Sequence, residues 1–342
     1  MAMIDFFHTV RSFIYEYLPN QKSVSENTIT SYRTALTLFV YFLREEKQYP
    51  DKKISFAIMD RELISQFLNW LETDRGCKSA TRNQRLMALR SFFNYAGLLD
   101  CTQAALYIDT LHIPLKRDDG KVITYLSEPA LAALLKQPDI HKNTDLRNLT
   151  FMILMYDTAA RCCELLNMRV KDLRLHVKNP IAYLHGKGGK TRTVPLLEKT
   201  VQHCKRYLER FHPNEKSNSE EYLFYTTSHK KRNQMSHDTV AYFIRKYAEA
   251  ASVECPEMPD NMRPHMLRHT RAMHLYQHHM PLNLIMEYLG HANIETTRIY
   301  AYADTEMKRA AIQKVENDNE ASNIQIAIWE EDEEMIRKLI GE

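Results

Sequence analysis

Apolar residues return every three or four positions through the first hundred residues, and this period decides what the chain can become. Ile29, Tyr32, Leu36, Phe39 and Leu43 make one stripe, the signature of a helix buried on one side. Ser25 or Asn27 stands where such a helix needs its cap, and the helix is expected to run to about Glu46. A second helix is expected after Asp60, with Leu63, Ile64, Phe67, Leu68 and Leu71 inward. A third starts near Ser79, turns Leu86, Leu89, Phe93 and Ala96 to one face, and meets a stop signal at Gly97. Arg82, Arg85 and Arg90 crowd its first half and middle. Cations early in a helix oppose its dipole, so a phosphate partner or a solvated face must account for them.

A chain of 342 residues suits two domains better than one. The segment 112–122 mixes Pro, Gly and charge without a helical period and reads as a linker. Residues 1–111 then form a helical first domain, and Lys116 and Arg117 are placed to touch a polyanion between the domains. The second domain, 123–316, opens on Ser127-Glu128-Pro129, a cap with proline in the first turn. A helix over about 145–159 carries the apolar run FMILMY. Ile181–His185 alternates as a strand, Gly186-Lys187-Gly188-Gly189-Lys190 turns it, and Thr191–Pro195 returns. That is a small β-hairpin with a lysine at its tip. Helices follow over about 198–211 and 236–251, and then from 264 to about 316. Residues 317–342 form a tail with Ile328, Trp329, Ile336, Leu339 and Ile340 along one helical side. Such a helix is expected to bury its stripe on a neighbouring protomer.

The formal net charge of +3 hides an asymmetry. From Glu316 to Glu342 nine acidic residues face two basic ones, so the first 315 residues carry about +10. That excess suits a polyanion. The six cysteines include no C-x-x-C pair, which reads as free thiols in a reducing compartment. No segment approaches eighteen apolar residues, and the N-terminus lacks a signal-like apolar run. A cytoplasmic location without membrane contact is the expectation.

The chemistry-bearing residues gather in the second domain. Pro264-His265-Met266-Leu267-Arg268-His269 is followed by Leu289-Gly290-His291 and by Tyr300. About a hundred residues upstream stand Arg161 and Lys187. Breaking a phosphodiester needs charge stabilisation on the non-bridging oxygens, a nucleophile, and an acid for the leaving oxygen. Arg161 and Arg268 suit the first task, because a guanidinium fork matches two phosphate oxygens. Tyr300 can attack if its phenolate forms beside cations and imidazoles. A lysine at a hairpin tip, Lys187, can protonate the leaving 5′ oxygen. His265 and His269, like His274 and His278, are four apart as in helical zinc sites, but no Glu or Cys completes a set. No metal and no other cofactor is expected.

In this order and spacing the residues resemble those of the tyrosine recombinase (phage integrase) family, over roughly residues 10–315. The matching segments are TAARCCELL with Arg161 and the acidic Glu164, GKGGKTRTVPL with Lys187, PHMLRHT with His265 and Arg268, LGH with His291, and TTRIY with Tyr300. The resemblance implies a mainly α fold. A SAM-like helical core-binding domain would precede a mixed, mostly helical catalytic domain with a small β-hairpin. It implies that Arg161, His265, Arg268 and His291 bind and polarise the phosphate, Lys187 is the general acid, and Tyr300 forms a 3′-phosphotyrosyl bond. No high-energy cofactor is then needed. It implies double-stranded DNA with inverted-repeat half-sites as partner, a homo-tetramer on DNA, and a C-terminal helix passed between protomers. Arg82, Arg85, Arg90, Lys116, Arg117, Lys190 and Arg192 are the expected DNA contacts. The chain departs from the family in having Ala159-Ala160 where Gly-Leu is common, and Tyr302 where a histidine often follows the nucleophile. A type IB topoisomerase-like enzyme and a catalytically silent DNA-binding relative are the rival readings.

Overall fold

The structure, a computed structural model, describes residues 4–117, 123–186, 189–229, 231–291 and 293–303. Lys187, the tail 317–342 and the side chain of Tyr302 lie outside the described residues. The chain divides between residues 121 and 122 into two compact units. Among the described residues no helix is long and apolar enough to cross a membrane.

The first unit is all helix. It comprises α1 (Phe6–Ser12), continued by a π-helical stretch to Gln21, then α2 (Glu26–Tyr41), α3 (Arg61–Thr73), α4 (Ser79–Leu99) and α5 (Ala104–Leu111). The apolar stripes meet in one aromatic core, where Phe39 crosses Phe67 edge-on at 5.0 Å and Phe13, Phe92 and Phe93 are fully buried. Ser25 is the N-cap of α2, and the Asp60 carboxylate accepts from the Leu63 N–H at 2.7 Å to start α3. Gly97 does not end α4, which runs on to Leu99. The reason for glycine there is proximity: a Cβ would lie 3.1 Å from the Ala104 Cα of α5.

The arginines of α4, expected to contact DNA, make hydrogen bonds inside this unit. Arg82 is 5% exposed and donates to the Pro114 carbonyl at 2.8 Å. Arg90 donates to the carbonyls of Thr110, Leu111 and Ile113, the last at 2.7 Å. Arg85 donates to the Ser31 carbonyl on α2 at 3.1 Å. Helix C-termini leave carbonyls without partners, and at the end of α5 the Arg90 guanidinium supplies them. Ile113 packs into the same core, so the start of the proline-containing segment belongs to the first unit. Lys116 pairs with Glu72 at 2.7 Å, while Arg117 is exposed.

The second unit is mostly helical around a small sheet. Its elements are α6 (Glu128–Lys136), α7 (Asn143–Asp157), α8 (Cys162–Leu166), β1 (Leu173–Arg174), β2 (Ile181–His185), β3 (Thr191–Pro195) and α9 (Glu198–Phe211). They continue with β4 (Tyr225–Ser228), β5 (Lys231–Gln234), α10 (His237–Ser252), α11 (Pro264–Gln277), α12 (Leu282–Leu289) and α13 (Glu295–Ala303). The sheet is antiparallel in the order β1-β2-β3, with His185 opposite Thr191 and Ile181 opposite Pro195. β1 and the separate β4–β5 hairpin add to the single hairpin expected. Phe151, Leu165, Leu184, Val194, Phe224 and Leu267 lie in the main core. A smaller cluster of Ala159, Met273, Ile285, Leu289 and Tyr300 lies under the ends of α11–α13.

Replacing Arg90 by alanine should lower the stability of the first unit by about 1.5–3 kcal/mol, since several charge-assisted bonds go. Urea unfolding followed through Trp70, in a Trp329→Phe background, reads this loss. The salt dependence of DNA binding should stay unchanged. A flatter slope with unaltered stability would return Arg90 to the DNA backbone.

Candidate active site

Arg161 is the N-cap of α8, and its position is fixed by the next turn. Glu164 accepts from the Arg161 backbone N–H at 2.8 Å and from its guanidinium at 2.8 Å. The carboxylate of Glu164 is 2% exposed and also takes both ends of the Arg192 fork, each at 2.9 Å. Burial alone would raise its pKa. The bonds and charge of Arg192, and then those of Arg161, reverse that and hold it below the usual carboxylate range. Arg192 donates further to the Tyr288 carbonyl at 3.1 Å. It lies against Gly290, where a Cβ would come within 3.0 Å of the Arg192 Cδ. Gly290 closes α12 in the left-handed region at φ +64°, so glycine is required there twice over. Arg192 therefore ties β3 to α8 and α12. Its hydrogen bonds here go to Glu164 and Tyr288.

Arg268 occupies the centre. It is 1% exposed, and it donates to the Ala159 carbonyl at 2.6 Å and to the Leu289 carbonyl at 2.7 Å. Those carbonyls lie two residues before Arg161 and two before His291. Ala159 holds its own position at φ +47°, a conformation that costs an L-residue about 1–2 kcal/mol and a glycine almost nothing. Burial, then Arg161 and Arg192, lower the Arg268 pKa to about 10, so it stays charged at neutral pH.

The imidazoles line the same spot. His265 is exposed at the surface, yet the atoms packed around its ring and the fields of Arg268 and Arg161 lower its pKa. His291 shares a hydrogen bond between its Nδ1 and the Thr297 hydroxyl at 2.9 Å. Burial, Arg268 and Arg161 push it down to about 4. Tyr300 is 1% exposed, and its hydroxyl lies 2.9 Å from His269 Nδ1. Burial raises its pKa to about 12 against the pull of Arg268 and Arg161. The structure thus brings together Arg161, Glu164, His265, Arg268, His291 and Tyr300. Lys190 is exposed beyond the hairpin. At the hairpin root His185 bridges Thr191 and the buried Asp172. Cys162 is buried and pushed up to about 12, first by burial, which leaves it inert as a thiolate.

Among the described residues three guanidiniums here, Arg161, Arg192 and Arg268, gather with one carboxylate, Glu164. The unmatched positive charge, with imidazoles kept neutral by it, suits a phosphodiester. A cavity of about 410 Å³ opens beside His265, with His237, Arg245, Asn261 and Arg263 among its lining residues. No motif in the sequence marks Arg245 and Arg263 of this cavity. The contacts of His269 with Tyr300 and of Thr297 with His291 were signalled only by a second histidine one helical turn after His265 and by the threonines before Tyr300.

The sequence profile of the phage integrase family matches residues 124–307, and that of the phage integrase N-terminal SAM-like domain matches residues 13–97. The chain belongs to the phage integrase family. It is 30% identical over 306 residues to a putative integrase/recombinase, y4rC, of Sinorhizobium fredii, covering 89% of this chain and 90% of that one. It is 30% identical over 305 residues to the tyrosine recombinase XerD of Oceanobacillus iheyensis, covering 88% and 93%. Two solved structures share the fold. XerH recombinase bound to a palindromic difH substrate gives a TM-score of 0.65 at 22% identity, over 90% of this chain and 87% of that one. The Tn1549 transposon integrase with transposon right end DNA gives 0.66 at 16% identity, over 89% and 98%. The family consists of enzymes that cleave and rejoin DNA, and this phage integrase family member is a tyrosine recombinase with DNA as its partner.

Arg192→Ala should destabilise the second unit by about 3–5 kcal/mol, because a buried carboxylate loses its main partner. The depressed Glu164 contributes stability above its unfolded pKa and loses it as pH falls through the lower folded value. The gap between wild type and variant should therefore close only in acid, as urea titrations at several pH values will show. A gap independent of pH would contradict the ion-pair account.

Proposed function

We propose that this recombinase cuts one strand at a time within inverted-repeat half-sites, through a 3′-phosphotyrosyl bond to Tyr300. Neither metal nor nucleotide takes part in the proposed step. The observation carrying this reading is that Tyr300 and the imidazoles of His265 and His291 all lie in the field of Arg268 and Arg161, with positive charge in excess. Arg161 and Arg268 would hold the non-bridging oxygens. The imidazoles of His265 and His291, neutral in the free protein, would donate or accept hydrogen bonds as the phosphate enters. Lys187 is the proposed acid for the leaving 5′ oxygen. Arg245 and Arg263, together with Lys190 and Arg117, are the proposed backbone contacts. Four protomers would bring two duplexes together, with residues 317–342 of each docking on its neighbour.

Tyr300→Phe should bind DNA almost as wild type and form no covalent adduct on a nicked duplex. An adduct that survives in Tyr300→Phe but not in Tyr302→Phe would move the nucleophile to Tyr302. Lys187→Ala should cleave slowly on ordinary DNA and regain its rate on a 5′-bridging phosphorothiolate, whose leaving group needs no proton. Failure of that rescue removes Lys187 as the acid. Deleting residues 321–342 should leave single-site binding near normal and abolish synapsis. Unfolding of the truncated chain would instead place the tail within its own subunit.

A further inference from the structure

The cleavage step leaves one proton without a destination, that of the Tyr300 hydroxyl. A phenol raised to about 12 by burial supplies almost no phenolate at neutral pH. A base has to meet it directly. Among the described residues the hydroxyl's hydrogen-bond partner is His269, whose Nδ1 lies 2.9 Å away. The contact joins α11 to α13 across 31 residues of sequence. His269 follows Arg268 on α11 and lies one helical turn beyond His265, with the two rings perpendicular and their centroids 4.7 Å apart.

Among the described residues no other side chain, His265 included, hydrogen-bonds the Tyr300 hydroxyl. Both oxygens of Glu164 are taken by Arg161 and Arg192. The Nδ1 of His291 is held by Thr297. The titratable and charged groups around His269 are His265 and Arg268 on its own helix, His291 from the turn after α12, and Tyr300 on α13. None of them is an anion in the resting enzyme. Burial, then His265 and Arg268, lower the His269 pKa to about 4, so in the free protein its imidazole is neutral with a lone pair for the hydroxyl, and the negative charge of an entering phosphodiester raises its basicity for the proton.

We propose that His269 is the catalytic proton acceptor for Tyr300, an inference resting on the cleavage chemistry proposed above. The Oη–H bond breaks and its proton passes to Nδ1. The Oη electron pair forms the bond to phosphorus, and the P–O5′ bond breaks with its pair leaving on O5′, which takes the proton assigned to Lys187. Rejoining reverses the flow: the attacking 5′ hydroxyl returns its proton, and the imidazolium reprotonates Tyr300 as it departs. The neutral tautomer must carry its hydrogen on Nε2, with the Nδ1 lone pair toward Tyr300.

A hydrogen bond that only positions the tyrosine would give the same contact, so the test separates acceptance of a bond from acceptance of a proton. The substrate is a nicked duplex selected from random-sequence DNA by binding to the full chain. Adduct formation by the preformed complex is timed across a pH series for wild type, His269→Asn and His269→Ala, with affinity measured alongside. Asparagine can accept the Tyr300 hydrogen bond but cannot hold its proton. Wild type should show a flat profile across the neutral range. His269→Asn should bind normally, react about a hundredfold or more slowly, and gain about tenfold in rate per pH unit as hydroxide takes over the proton. Wild-type rates and a flat profile in His269→Asn would overturn proton transfer to this imidazole, as would an unaffected His269→Ala. A wild-type chain that forms no adduct on any selected duplex would instead fail the recombinase reading itself, and this inference with it.

Discussion

The second unit turns on one buried guanidinium. Arg268 cannot shed its charge at neutral pH, and leaving it unsatisfied in the interior would be costly. Two backbone carbonyls, from Ala159 and Leu289, meet it at 2.6 and 2.7 Å. Each carbonyl stands two residues ahead of a side chain the chemistry needs, Arg161 in one case and His291 in the other. Satisfying Arg268 thus sets the spacing of the site. The left-handed Ala159 fits this logic, because its strained backbone aims the carbonyl.

Glu164 does the complementary work. As the one buried carboxylate among Arg161, Arg192 and Arg268, it orients two of them and leaves the group short of negative charge. The same imbalance lowers His265, His269 and His291 after burial has begun the shift. In acid this works against the fold. An unfolded histidine takes its proton near the ordinary value and the folded His269 and His291 only near 4, so stability falls as pH drops through that window. A bound phosphodiester supplies the missing charge and should relieve the effect.

Much of this was legible in the sequence because it depended on spacing. The stripes on α2–α4 fix helices, and strands β2 and β3 around a glycine-rich turn fix a hairpin whichever residues surround them. The order of Arg161, His265, Arg268, His291 and Tyr300 points to one site. What stayed hidden was the partner of each charge. Arg82, Arg90 and Arg192 look like phosphate ligands when only their sign is known. Their carbonyl and carboxylate partners lie 20 to 96 residues away and appear only once the chain is folded. Gly97 looked like a stop because sequence shows a missing side chain, not the neighbouring helix that requires it. His269 was visible as a second imidazole, but α13 had to be placed before its partner could be known.

The central claim is that one tyrosine hydroxyl, held beside His269 and under the field of Arg268 and Arg161, becomes joined to DNA. Mass spectrometry of the trapped adduct reads this directly. After protease and nuclease digestion, fragmentation of the peptide spanning residues 299–308 should place the 3′-linked nucleotide on Tyr300. A nucleotide on Tyr302, or on any other residue, would contradict the account.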